Sequence, residues 1–358
     1  MFHLKPKFSN TIKSIVVPLR TEYFNKVYLC HLVAQKKFNV IQQKFDYQKR
    51  TFSQNKEVHL QPLVQPQISD IGIFKTLSES APVQFLQSSL VEIHSYTGLP
   101  WWGTIIFSTV LLRSCTTLPL AVFQQYILAK LELIKYEMND IVKELKKEIS
   151  IAAKSYKWDV TTAKSVYNYS FKSQWNKLIV RENCHPFKTT LLLWVQIPLW
   201  VSLSVSIRNL IYMQPKMDET AKMIFLQLST EGVGWIPNLT AMDSTLVLPI
   251  AFGIINLGLI ELMTLSKVTV PTKFQRITTN LFRGFTIILI PICISLPSGL
   301  LVYWTTSSLY GLVQNFVLMS PKVKRFCRIP PTPSELEYPY KQLSAAFKKR
   351  FNFLNKDK

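Results

Sequence analysis

The sequence predicts an all-α polytopic membrane protein with five transmembrane helices around a polar cavity and a helical hairpin between the first two spans. Three observations carry that fold class. Charge-free stretches long enough to cross a bilayer recur from Leu99 onward, lysine and arginine gather on alternate connections, and one arginine, Arg113, interrupts the first apolar stretch. With 48% hydrophobic and 18% charged residues and a mean hydropathy of +0.14, the chain is too apolar to be disordered and too charged to be a bare bundle of spans.

Taken in order, the first 58 residues hold 11 Lys or Arg and 3 acids, none before Glu22. This reads as a mitochondrial targeting segment, basic and acid-poor, although Arg20 and Arg50 are its only arginines. No apolar core of a secretory signal follows, so the sequon Asn238-Leu239-Thr240 carries no weight. Val83, Leu86, Leu90 and Ile93 then form a helical stripe leading into Gly98-Leu99-Pro100-Trp101-Trp102. That pattern predicts an amphipathic helix lying in the membrane interface, with Trp101 and Trp102 as headgroup anchors.

A helix of about 20 residues spans the roughly 30 Å hydrocarbon core. The first span is predicted at Trp102–Gln124, the second at Thr189–Ile207, and the third at Ser244–Met263 with Glu261 near one end. The 38 charge-free residues from Gly284 to Pro321 would make one helix of about 57 Å, so they divide into a fourth and fifth span at the turn Pro297-Ser298-Gly299. Between the first two spans, Ile127, Leu131, Ile134, Met138, Ile141 and Leu145 keep heptad spacing. A second series, Val160, Ala163, Tyr167, Phe171, Gln174 and Leu178, follows a break at 155–159, which predicts an antiparallel helical hairpin.

The connections fix an orientation. Residues 130–188 carry 12 basic and 7 acidic residues, 266–283 carry 4 and 0, and the tail from Met319 carries 10 and 3, whereas 211–243 carry 2 and 4. The positive-inside rule places the first three on the inner side, with the amino end outside and the carboxyl end inside. The domains are then 1–78, targeting segment and arm; 79–124, interfacial helix and first span; 125–186, matrix-facing hairpin; 187–320, spans two to five; and 321–358, basic matrix-facing tail.

Arg113 is the candidate functional residue. A guanidinium at mid-membrane costs roughly 2.5–3.5 kcal/mol on insertion scales, so it should face a wet cavity; pairing with a helix carbonyl or Glu261 is the structural alternative. Thr109 lies one turn earlier on the same face. Enzyme chemistry is not predicted. All five histidines lie outside the spans, no Walker sequence occurs, and the five cysteines include no C-x-x-C pair, so neither metal nor cofactor is expected. The +21 charge is distributed as membrane topology requires, which argues against nucleic acid.

The strings HSYTGLPWWGTIIFSTVLLRSCTTLPL, QIPLWVSLSVSIRN, GWIPNLTAMDSTLVLPI and PSGLLVYWTTSSLYGLVQN resemble the YidC/Oxa/Alb membrane insertases in order and spacing, over about residues 80–320. The branch they resemble most is the mitochondrial cytochrome c oxidase assembly insertase. The resemblance implies a hydrophilic groove open to the inside and to lipid, with Arg113 as its arginine, Gln196 beside Pro198 as the family's Gln-x-Pro, Trp304 at an aromatic position and Gln314 closing the last motif. It implies nascent membrane proteins as clients, cytochrome c oxidase subunit 2 foremost, with the bilayer and oxidase assembly factors as further partners. The tail of about 40 residues implies weak or no ribosome docking. An anion carrier using Arg113, or an assembly scaffold, are the alternatives; no internal repeat supports a carrier.

Overall fold

The computed structural model describes residues 72–266 and 272–356, and every regular element among them is helical. The targeting segment and five residues of the basic loop before the fourth span lie outside the described residues. Helix α1 (Gly72–Ser78) and α2 (Ala81–Thr97) precede the first span, and Gly98 at φ 65° ends α2 with its N–H on the His94 carbonyl. A left-handed residue there turns the chain sharply, which glycine does without a Cβ penalty.

The first span is α3 (Trp101–Leu112), a π turn (Arg113–Thr117) and α4 (Leu118–Ser155), 55 residues without a break. The span therefore runs directly into the first arm of the hairpin. Pro119 explains the π turn: it has no N–H, and its ring would collide with a carbonyl one turn back. Widening the turn passes the bond from Leu118 N–H to the Arg113 carbonyl, while the Thr116 and Thr117 hydroxyls donate to the Leu112 and Arg113 carbonyls.

Asp159 caps the second arm, α5 (Val160–Glu182), by accepting from Thr161 N–H. The arms pack through Ile127, Leu131, Ile134 and Met138 against Leu178, Trp175 and Cys184. The first predicted seam is buried as expected. The second is buried only at Leu178: Val160 is 80% exposed and Phe171 is also exposed, because α5 meets α4 mainly near its carboxyl end. Across the hairpin Arg181 makes two bonds to Glu137, at 3.0 and 2.6 Å, and Lys130 lies 3.4 Å from Glu182.

A 3-10 turn (Pro186–Thr190) leads into α6 (Leu191–Ile211), then α7 (Glu219–Thr230), α8 (Val247–Leu265), α9 (Lys273–Ile294), α10 (Ser298–Leu318), the short α11 (Pro321–Phe326) and α12 (Pro339–Lys356). Among the described residues, the helices that begin at Trp101, Pro186, Val247 and Lys273 are long and apolar enough to cross a membrane. Helix α10 is as long as α6 but carries Thr305, Ser307, Ser308, Gln314 and Asn315, which lower its apolar character. Helix α9 begins earlier than its charge-free stretch because Thr272 and Gln275 form a reciprocal capping box. In α9, Arg283 pairs with Glu261 of α8 at 2.7 Å.

Helix α10 contacts α3, α6 and α8, and so lies between the first three apolar helices. At the end carrying α7, hereafter the loop end, Leu239 N–H donates to Leu228 O, Gly299 N–H to Leu239 O, and both Ser298 groups to Ala241 O, at 2.7–3.0 Å. Gly299 lets the chains meet: a Cβ there would lie 3.1 Å from Leu239 O. Asp243 accepts from Thr245 and from Leu248 N–H at 2.6–3.0 Å, starting α8. These hydrogen bonds hold its carboxyl below the usual range against the opposing effect of burial.

The interfacial stripe is directed into protein. Val83 and Leu90 are buried, Ser206 of α6 donates to Val83 O, and Asn209 bonds both Ser78 and Gln87. Trp101 is likewise not a headgroup anchor. It is fully buried, stacked on His94 at 4.2 Å, with its indole N–H on Gln227 and its backbone N–H on Glu231. A tertiary partner for the N–H replaces the headgroup layer. Trp102 is partly buried against the same core.

Candidate functional site

Arg113 opens the π turn halfway along the first span, where local widening sets its side chain toward α10. Its Nε and Nη2 donate to Ser307 Oγ at 2.9 and 2.5 Å, and the guanidinium carbon lies 6.0 Å from the Tyr310 ring centre. Gly311 of α10 lies beside the guanidinium, where a Cβ would meet Nη1 at 3.9 Å, an ordinary contact. Next to it, the Ser114 hydroxyl and Tyr310 hydroxyl are 2.9 Å apart. Among the described residues the guanidinium bonds to no carboxylate; Glu261, the alternative partner read from sequence, pairs with Arg283 instead. The positive charge is anchored by a hydroxyl and, among the described residues, is paired with no carboxylate.

Arg113, Thr109, Thr117 and Gln196 line one small cavity with Trp200 and Tyr303. About 10 Å³ of it is open to the centre of a water molecule, on the order of one water. Three of the five sequence candidates, Arg113, Thr109 and Gln196, thus share a site. Thr109 is nearly sealed, and its hydroxyl is already spent on the Ile105 carbonyl at 2.6 Å, so it shapes the wall. Gln196 reaches the cavity from the turn of α6 that contains Pro198.

Trp304 stands beside this cavity and does not line it. Its indole N–H donates to Ser204 of α6 at 3.1 Å, and its ring lies 5.0 Å from Trp200 and 5.8 Å from Phe252, which ties α6, α8 and α10 together. Gln314 lies two turns beyond Ser307, with its carbonyl oxygen buried and without a hydrogen-bond partner. A buried amide oxygen left unpaired costs about 1–3 kcal/mol, which makes it a ready acceptor for a polar group arriving between the helices.

Sequence reasoning missed Ser307, Tyr303, Tyr310 and Ser114. A signal for three of them was present, since Tyr303, Ser307, Tyr310 and Gln314 recur at steps of 4, 3 and 4 and so share one face of a charge-free helix.

Residues 92–325 match the family described as the 60Kd inner membrane protein, about two thirds of the chain. The chain belongs to this family, the YidC/Oxa membrane insertases. Among its relatives, this insertase is 43% identical to the mitochondrial cytochrome c oxidase assembly protein COX18 of Mus musculus over 78% of its own length and 84% of the relative's. It is 41% identical to the Homo sapiens protein of the same name over 78% and 83%. It is 27% identical to the mitochondrial inner membrane protein OXA1 of Arabidopsis thaliana over 75% of its own length and 57% of the relative's.

Proposed function

We propose that this protein inserts membrane proteins into the mitochondrial inner membrane and exports polar segments of them, with the carboxyl-terminal part of cytochrome c oxidase subunit 2 as principal client, in support of oxidase assembly. The observation that carries this reading is the Arg113 charge held at mid-span on Ser307, with no carboxylate paired to it among the described residues. In this reading five helices span the bilayer: α3 with the start of α4, then α6, α8, α9 and α10. The loop end faces the intermembrane space, and the hairpin and tail face the matrix, an orientation that the distribution of basic residues supports.

Arg113, Gln196 and the wall formed by Thr109 make the floor of a groove; Trp304 braces it, and the unpaired Gln314 oxygen offers a bond to client backbone. A short acidic or neutral flank enters the polar space, drawn by Arg113, while its apolar segment slides past α6 and α10 into lipid. Partitioning of the apolar segment supplies the work, and the membrane potential adds about 2.3 kcal/mol per charge per 100 mV to export of acidic flanks. No nucleotide is required. Oxidase assembly factors receive the client.

The test is protease protection of newly synthesised, labelled mitochondrial proteins after depletion of this protein. The carboxyl-terminal part of subunit 2 is expected to stay protected inside while other clients insert normally. Failure of every client would make it a general insertase, and failure of none would remove the insertase reading.

A further inference from the structure

The hairpin end holds a second cavity, of about 230 Å³. It is bounded by one face of α4 (Gln125, Leu128, Glu132), by Ser266 and Met319 at the ends of α8 and α10, and by the tail between Lys324 and Pro339. From Arg113, the positions Thr117, Ala121, Gln125, Leu128 and Glu132 follow in steps of 4, 4, 4, 3 and 4, so this cavity and the Arg113 cavity lie along one face of a single uninterrupted helix.

Part of the wall is the chain's own tail. After α11, Ile329 is buried, and the next residues cross the cavity without forming a helix. Ser334 N–H donates to Glu132 Oε1 at 3.2 Å. The next side chain, Glu335, is largely buried; it pairs with Arg325 and lies 3.8 Å from Lys324 Nζ, and its Oε1 has no hydrogen bond. Tyr340 then stacks on Phe316 of α10 at 4.8 Å. The tail segment fits, but imperfectly: one buried carboxylate oxygen is unbonded, and Lys324 Nζ, 3.8 Å from it, is too distant for a hydrogen bond.

We propose that this crevice is a docking site for an extended acidic flank of a client polypeptide, and that residues 329–336 occupy it as an internal stand-in. The inference rests on the insertase reading above. Lifting the segment frees an acceptor, Glu132, and two cations, Lys324 and Arg325, which stay at the foot of α10 because α11 follows it directly. A client that presents a backbone N–H followed by a carboxylate at the next residue, as Ser334 and Glu335 do, restores all three. Basic flanks meet Lys324 and Arg325 unpaired and are refused. From the crevice the flank follows the α4 face toward Arg113.

The test uses the full chain reconstituted in liposomes with a client made in vitro, and a photo-crosslinking amino acid placed at Leu128 or, in the first cavity, at Leu199. A second pair of variants, Ala129→Cys with Ser334→Cys, both lining the cavity, in a chain whose Cys30, Cys115 and Cys327 are serine, is tethered by a thiol-cleavable bismaleimide. Position 128 is expected to label the client, with a yield that falls about fivefold when the flank's acids become amides, the size of one partly exposed ion pair. Closing the tether is expected to abolish that label and the client's protease-protected product, and cleaving it to restore both. Label from 199 with none from 128, or label from 128 that the tether leaves unchanged, overturns the docking site while leaving the insertase reading intact. Absence of label from both positions removes the two together.

Discussion

At the loop end Trp101, Leu239 and Leu301 are sealed from solvent, and backbone hydrogen bonds join the α7 loop to the α9–α10 turn. At the hairpin end the chain is tied by ion pairs whose side chains are a quarter to a half exposed, and a tail segment lies over a cavity of about 230 Å³. The first arrangement is costly to open, because parting it exposes apolar surface and strands backbone groups. The second is cheap, because water replaces an exposed ion pair at little cost. The proposed groove, closed toward one side and open toward the other, needs this asymmetry, and it separates two kinds of variant: stability effects belong at the loop end, activity effects toward the hairpin end.

The largest expected stability effect is Trp101→Ala. It removes a fully buried indole, its stacking on His94 and its bond to Gln227, which predicts a loss of about 3–5 kcal/mol, read as a large fall in unfolding temperature of the detergent-solubilised protein. A Trp101→Ala protein that unfolds with the wild type would return this residue to the headgroup layer and break the comparison. Trp101→Phe keeps most of the burial and should lose only the hydrogen bond, about 0.5–1.5 kcal/mol.

Arg113→Ala is the counterpart, with its effect on activity. Insertion of clients with acidic flanks should fall by about tenfold or more, the equivalent of at least 1.4 kcal/mol, while the protein level stays normal. Arg113→Lys should restore much of it, since the attraction needs charge more than the guanidinium fork. Normal insertion in the Ala variant, assayed by protease protection, would remove the charged groove.

Smaller again is a pH effect at the loop end. Burial holds the His94 imidazole below its usual pKa, with the nearby Glu231 opposing that effect. The folded state therefore binds its proton less readily than the unfolded state, so the sign is fixed. Stability falls as pH drops below the unfolded value near 6.5 and levels off once the folded pKa is passed. Thermal unfolding between about pH 7.5 and 5 should show this slope, and His94→Gln should flatten it.

Much of the architecture was legible in the chain. The positions of the apolar helices, the hairpin break near 155–159 and the division at Pro297-Ser298-Gly299 follow from charge and proline placement, which act over a few residues. Arg113 was legible because its burial is so expensive. Ser307 was legible only as a member of the polar face it shares with Tyr303, Tyr310 and Gln314; a serine costs little in a helix, and that face does not mark it as the partner of a residue 194 positions earlier. Trp101 was misread for the same reason. An aromatic pair at a membrane boundary looks alike whether lipid or Gln227, 126 residues on, receives its N–H. The hydrogen bond between Ser334 and Glu132, 202 residues apart, was equally invisible. Local pattern determines which side chains are available, and long-range packing determines what each one meets.

The smallest expected effect lies in the hairpin and sharpens the comparison most finely. Arg181 bonds Glu137 through its two terminal guanidinium nitrogens, and the two groups shift each other as a pair should: the arginine upward through its bond to Glu137, the carboxylate downward through the same bond. Both side chains are well exposed, 53% and 43%. Solvent screens such a pair, and much of its attraction disappears as salt shortens the Debye length from about 10 Å at 0.1 M to about 3 Å at 1 M. Arg181→Ala should therefore leave global unfolding almost unchanged and should instead raise amide exchange locally near the base of α5, where Leu178 and Cys184 seat the arm. In high salt the wild type should approach the variant in that exchange, while the loop end, held by burial and backbone bonds, should not respond. A global destabilisation by Arg181→Ala, or a loop end as salt-sensitive as the hairpin, would mean that the same forces hold both ends and that the asymmetry of the groove has another origin.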